Sequence, residues 1–284
     1  MKKILKGFHK FSSSWTGTIV IVLFLIFFVI QSFVIPSGSM KRTMLIGDFL
    51  FAEKFAYGTP IPKLPWVEIP LVPDFNNNGH LIEGDKPKRE DIVIFLYPHD
   101  HKVHYVKRCV AVGGDELVYQ DKHLYIHFHE GDEYIKKSYP SNKIKKFYGQ
   151  LWVDNPYSQK YPGIQYKPDH HENIFKLLIK TYLYGENGID MSPIYARELG
   201  GETFEIKGQP VNALYKKVEK GNFYMMGDNR DNSNDSRFWG SVPYSLIIGK
   251  PWFIYFSWDN NTKKVRWDRV GRFVDDLQYE KPRY

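Results

Sequence analysis

Two hydroxyls two residues apart, Ser37 and Ser39 in VIPSGSM (34–40), and a lysine, Lys107, in VHYVKRCVAV (103–112) are the residues whose types could carry covalent chemistry. Ser39 could attack a carbonyl if a base removed its proton. Ser37, in a turned segment, is near enough to donate a hydrogen bond beside the same centre. A Ser-Gly-Ser triplet is equally an ordinary loop. If 103–112 is a strand, Val103, Tyr105, Lys107, Cys109 and Ala111 share one face, and His104, Val106, Arg108, Val110 and Val112 share the other. Lys107 then either snorkels from a barrel surface or loses its water. Desolvation lowers the pKa, which a lysine needs in order to accept a proton near neutral pH.

A third stretch, GDNRDNSNDSRFWG (227–240), has ten Asp, Asn, Ser or Arg among fourteen residues. Such a segment is either a solvated loop or one tied down by its own hydrogen bonds. Arg237 can pair there with Asp235 or Asp228, and Arg230 is another possible partner.

Taken together and in order, PSGSM at 36–40 with Gly47-Asp48, DIVIF at 91–95, YVKRCVAVGGD at 105–115 and GDNRDNSNDSRFWG at 227–240 resemble bacterial type I signal (leader) peptidase. The resemblance implies a membrane-anchored serine/lysine endopeptidase that removes signal peptides from exported preproteins through an acyl-enzyme. It implies Ser39 as nucleophile, Lys107 as general base, and Ser37 with the Ser39 amide as the oxyanion site. It also implies Ser233 as the group orienting the lysine, Asp235 and Arg237 with Asp228 as structural support, and Met40 and Tyr105 lining the site. The sequence departs from the family pattern SM-x-PT, since SMKRTM has Arg42 in the proline's place. Cys109 replaces a usual valine, a small exchange on the lysine's face.

Other readings weigh less. The S-x-x-K pattern of penicillin-recognising enzymes needs a lysine where Arg42 stands, and K-T-G is absent. His99, His101, His104, His127, His129, His170 and His171 come without H-E-x-x-H or a cysteine ligand pattern, so no metal or cofactor is expected. A non-enzymatic alternative is a membrane-anchored β-rich binding or assembly module.

The elements that must position these residues follow from the rest of the chain. No formal charge occurs from Phe11 to Met40, and Ile19 to Ile30 is continuously apolar. Extended through Thr16 and Ile35, that run has the roughly 20 residues a membrane-crossing helix needs. Lys2, Lys3, Lys6 and Lys10 before it, against Lys41 and Arg42 after it, favour a cytoplasmic N-terminus. A cleaved signal peptide is disfavoured because SFVIPSGSM has no A-x-A-like site. The expectation is a single-pass protein of the bacterial cytoplasmic membrane with its catalytic body outside. Ser39 would then lie within roughly 13 Å of the end of the span.

Beyond the run, Gly-Asp pairs at 47–48, 84–85, 114–115, 131–132 and 227–228 border apolar segments and read as turns. The fold class is mainly β: an N-terminal transmembrane helix and a β-rich catalytic body with an inserted α+β lobe. Strands are expected at Asp91–Tyr97, Val103–Val112, Leu117–Tyr119, Leu124–Phe128, Phe223–Met226 and Trp252–Trp258, and a helix near His171–Tyr184. The proposed divisions are 1–10 cytoplasmic, 11–35 anchor, 36–120 and 213–273 catalytic, 121–212 lobe and 274–284 a fraying tail. Residues 58–75, with five prolines, read as an irregular apolar loop. The 284 residues are 43% hydrophobic and carry one cysteine, which allows a sizeable core without a disulfide framework. The net charge is +7, with the basic residues dispersed and partly concentrated beside the apolar run, an arrangement that suits anionic lipid better than nucleic acid. Secretory preproteins and the phospholipid membrane are the expected partners, and a monomer is favoured.

Overall fold

The computed structural model describes residues 7, 9–24, 30–64, 69–166, 173–184 and 189–283. Its main sheet is antiparallel. In chain order its principal strands are β1 Ile30–Val34, β2 Asp48–Glu53, β3 Ile92–Tyr97, β4 Asp100–Val112, β5 Asn222–Met226, β6 Val242–Pro243 and β7 Ile247–Asp259. They lie side by side as β1-β2-β7-β3-β4-β5-β6. β3, IVIFLY, is apolar throughout and buried at all but its last position, as a central strand covered on both faces must be. β7 changes partner along its length, pairing with β3 at Ile247 and Gly249 and with β2 from Lys250 to Ser257. Gly249 sits at that switch, where a Cβ would come within 2.4 Å of the Glu53 carbonyl oxygen. Only a residue without a side chain fits so close a backbone approach.

A second antiparallel sheet orders its strands as Ser192–Ile194, Ala213–Lys217, Glu116–Gln120, His123–His127, Gln150–Asp154 and Ile144–Phe147. It buries its own core, including Leu117, Tyr119, Ile126, Phe175 and Leu178, separate from the core of Phe95, Met40, Cys109 and Met225 in the main sheet. The expected helix runs Ile174–Leu183, with Asn173 as its N-cap accepting from the Phe175 amide. Residues 171 and 172, at the start of the expected range, lie outside the described residues. Strict alternation along β4 breaks at Val110, where the register with β5 passes from Cys109↔Met225 to Ala111↔Tyr224. The extra residue turns Ala111 into the second core, away from the face of Lys107 and Cys109. Within the proline-rich stretch, Gly58–Pro60 is a short strand paired with His80–Glu83; residues 65–68 lie outside the described residues.

The N-terminal reading requires correction. Among the described residues no helix is long and apolar enough to cross a membrane. Within the expected anchor, 11–35, the described residues include a 10-residue helix, Trp15–Phe24, and then β1. Ten residues rise about 15 Å, about half of a ~30 Å hydrocarbon core. Residues 25–29, and Lys2, Lys3 and Lys6 of the charge argument, lie outside the described residues. β1 pairs with β2 in register from Ile30↔Glu53 to Val34↔Phe49, so the end of the apolar run belongs to the sheet. The transmembrane helix over 11–35 and the single-pass placement built on it, N-terminus in the cytoplasm and body outside, are therefore not what the structure builds. The physical reason is that hydropathy measures only apolar content. A run rich in Ile, Val and Phe suits an apolar strand as well as a helix, and the hydrogen bonds to β2 decide between them.

The C-terminal stretch does not fray over its first residues. Val274–Leu277 is a short helix with Val274 and Leu277 buried, and Gln278 accepts a hydrogen bond from Arg108 at 2.9 Å.

Candidate active site

Ser39 lies in a 3-10 turn, Gly38–Met40, that follows β1. The turn is seated by what surrounds it. Ile35 donates to the Asp48 carbonyl and Gly47 to that of Ile35, closing the loop back onto β2. Asn229 clamps the turn from the polar loop: its amide donates to the Ser39 carbonyl at 3.0 Å and its side chain to the Gly38 carbonyl at 3.0 Å. Met40 is fully buried, its sulfur 3.4 Å from the Asp228 amide.

Lys107 reaches the same turn from β4. Its Nζ is 2.9 Å from Ser39 Oγ and 3.0 Å from the Val106 carbonyl oxygen. The residue is 4% exposed. Burial lowers its pKa to about 8, against the opposing pull of the Asp235 and Asp228 carboxylates. Ser37 Oγ is 3.4 Å from Ser39 Oγ, and the Tyr105 ring lies 4.9 Å from the lysine nitrogen. These groups border a cleft of about 370 Å³, with Ile35, Pro36, Met40 and Val106 as its apolar lining. His104 lines it too, its pKa lowered to about 4 by burial and then by Lys63 and Lys54, so the imidazole is neutral.

Ser233 is placed differently from the expectation. It is buried at the cleft, yet its Oγ makes no hydrogen bond to Lys107 and lies within electrostatic reach of the Asp235 carboxylate instead. Gly227 permits this crowding: a Cβ there would meet Ser233 Oγ at 2.4 Å and the Ser39 carbonyl at 2.6 Å.

The polar loop is held by two fork-shaped ion pairs. Arg237 binds Asp235 through Nε at 2.8 Å and Nη2 at 2.9 Å, and also donates to Tyr119 and the Arg230 carbonyl. Asp228 pairs with Arg108 rather than Arg237, through two bonds of 2.8 Å, and accepts from Thr43 at 2.6 Å. Burial alone raises both carboxyls, and the adjacent guanidinium groups more than reverse that, holding them below the ordinary carboxylate range. Asp235 also accepts from the Gly227 amide at 3.0 Å. Gln165 joins the loop backbone, donating to the Asp228 carbonyl and accepting from the Arg230 amide at 2.8 Å each.

The comparisons with known proteins bear on this arrangement. The family model described as "Signal peptidase, peptidase S26" matches residues 9–258. The chain belongs to the signal peptidase family. It is 47% identical over 293 residues to "Signal peptidase I" of Helicobacter pylori strain J99, covering 97% of this chain and 96% of that one. It is 32% identical to "Signal peptidase I" of Buchnera aphidicola subsp. Acyrthosiphon pisum, over 88% of this chain and 78% of that one. Membership of the signal peptidase family makes the chain a serine endopeptidase, and the reading as a non-catalytic module is set aside.

Several participants escaped the sequence reading. Alternation had set Arg108 opposite Lys107 without naming a partner for it. Thr43, Gln165 and Gln278 carried no signal, and Asn229, though inside the polar segment, was given no role, because each acts through contacts made across long sequence distances. A grouping of metal-ligand types occurs among the described residues at Asp115, His129 and Glu130. Arg89 already bonds both of its carboxylates.

Proposed function

We propose that this signal peptidase removes signal peptides from preproteins with Ser39 as nucleophile and Lys107 as general base. The observation that carries the reading is the 2.9 Å approach of a buried lysine nitrogen, its pKa lowered to about 8, to a serine hydroxyl. At that pKa an appreciable fraction of the amine is neutral near pH 7 to 8 and can take the Ser39 proton as the oxygen attacks. The developing oxyanion would rest on the Ser39 amide and on Ser37 Oγ. The first amides of a 3-10 turn have no carbonyl inside the turn to bond, and Ser37 is close enough to donate. The peptide bond breaks with its proton supplied from the Lys107 ammonium to the leaving amine. The neutral lysine then activates the water that hydrolyses the ester.

The surroundings suit an extended peptide. β4 pairs with β3 from Asp100 to Arg108, while β5 meets it only from Arg108 onward. Val103 to Val106 therefore offer one backbone edge toward the cleft, where a substrate strand can add. The apolar lining by Ile35, Pro36, Met40 and Val106 suits the residues ahead of the cut. Ser233, Asp235, Arg237 and Asp228 act through position: they hold the loop against the serine turn.

The test is cleavage of a purified preprotein by wild type, Ser39→Ala and Lys107→Met. Both variants should remain folded, and both should lose turnover by at least about a thousandfold. Near wild-type turnover by either variant would refute the assignment.

A further inference from the structure

Beside the cleft holding Ser39 lies a larger open chamber of about 840 Å³, and the two share the edge of the polar loop at Asn232, Ser233 and Asn234. The far wall is the helix Ile174–Leu183 of the lobe. Ile174, Phe175, Leu178 and Ile179 face its core. Lys176, Leu177 and Lys180 are left exposed, and all three line the chamber. Lys176 and Lys180 stand four residues apart, one turn above the other on the same face. Lys176 pairs with Glu202 at 2.8 Å, but both side chains are about half exposed, 47% and 59%. Such a pair is weak and exchanges readily for another carboxylate. The opposite side carries Tyr97 and Trp239, with buried Asp231 on the loop.

Resting on the reading of the neighbouring cleft as the cutting site, we propose that this chamber receives the segment of the preprotein that follows the cut, and that Lys176 and Lys180 favour acidic residues in it. Both spaces have apolar walls, the chamber's including Ile174, Leu177, Phe238 and Trp239, and what distinguishes the chamber is its exposed lysine pair. The smaller cleft is lined by Ile35, Pro36, Met40 and Val106, which suits a signal segment. The chamber is rimmed by cations. Lys and Arg flanking an apolar signal are retained on the cytoplasmic side, so the translocated segment just after it is poor in them. A lysine rim therefore meets little repulsion there and attracts Asp or Glu. The inserted lobe thereby contributes to substrate choice without touching the reacting atoms.

The experiment uses the full-length chain and matched preproteins carrying Asp, Asn or Lys in the first few residues after the cut, or at equivalent places before it. Wild type should show a kcat/KM about threefold to tenfold higher for Asp than for Lys after the cut. In a Lys176→Glu/Lys180→Glu variant the order should invert, and the Asn substrate should be cut as by wild type. High salt should erase both preferences, since exposed charges are screened. An unchanged order in the variant, or a charge effect confined to residues before the cut, overturns the proposal. If wild type cuts every substrate without discrimination, the chamber assignment alone falls. If Ser39→Ala cuts these substrates at near the wild-type rate, the cutting-site reading falls, and this one with it.

Discussion

Replacing Lys107 by methionine isolates the energetic consequence of burying an amine. A lysine ordinarily titrates at 10.5, and here burial brings it to about 8. At about 1.4 kcal/mol per pH unit, holding the charged form in the folded protein costs about 3 kcal/mol. The sign follows from proton counts. Below about pH 8 both folded and unfolded chains carry the proton, so the cost is present in full. Between about 8 and 10.5 the unfolded chain keeps a proton that the folded one releases, and wild-type stability rises with pH. Above 10.5 the contribution vanishes. The two hydrogen bonds of the nitrogen, worth about 1 kcal/mol each, are present at either pH and cancel in the comparison. The stability of Lys107→Met relative to wild type should therefore be about 3 kcal/mol more favourable at pH 7 than at pH 10.5. Urea unfolding of both proteins at the two pH values measures this directly. Wild-type kcat/KM should fall about tenfold per pH unit well below pH 8, because only the neutral amine serves as base. A constant stability difference across the pH range, or a rate flat from pH 6 to 9, would refute the reasoning.

Three further outcomes are expected. Gly227→Ala should lower kcat by about ten- to a hundredfold, because its Cβ would drive the Ser39 carbonyl and Ser233 apart; turnover and thermal melting separate this from unfolding. Asp228→Ala should cost about 3–5 kcal/mol in denaturant unfolding, since it strands the fully buried Arg108 guanidinium. Arg42 stands at φ +83°, a left-handed conformation that an arginine resists. Arg42→Gly should raise stability by about 1 kcal/mol, whereas Arg42→Pro should lower it, because proline requires φ near −65°; an unfavourable glycine variant would count against strain at this position.

That last position also shows how a sequence departure becomes structural. Arg42 stands where the family pattern has a proline, and the turn after Ser39 takes there a backbone that proline could not adopt. Similarly, the GDNRDNSNDSRFWG segment left the partner of Arg237 open between two aspartates. The structure pairs it with Asp235 and gives Asp228 to Arg108, 120 residues away.

Composition and local pattern by themselves determined that the body is built from β-strands, because alternation and turn residues act over a few positions. They also determined which residue types could supply a nucleophile and a base, because that chemistry belongs to a side chain. The tertiary structure alone decided whether Lys107 is wet or dry, since desolvation depends on what chain segments far away pack against it. It alone brought Ser39 and Lys107, 68 residues apart, within 2.9 Å. It also resolved the apolar N-terminal run differently from hydropathy: Ile30–Val34 is bonded into the sheet. Hydropathy counts apolar atoms, whereas a strand is chosen by the hydrogen bonds and surfaces that a partner, invisible in the local sequence, provides.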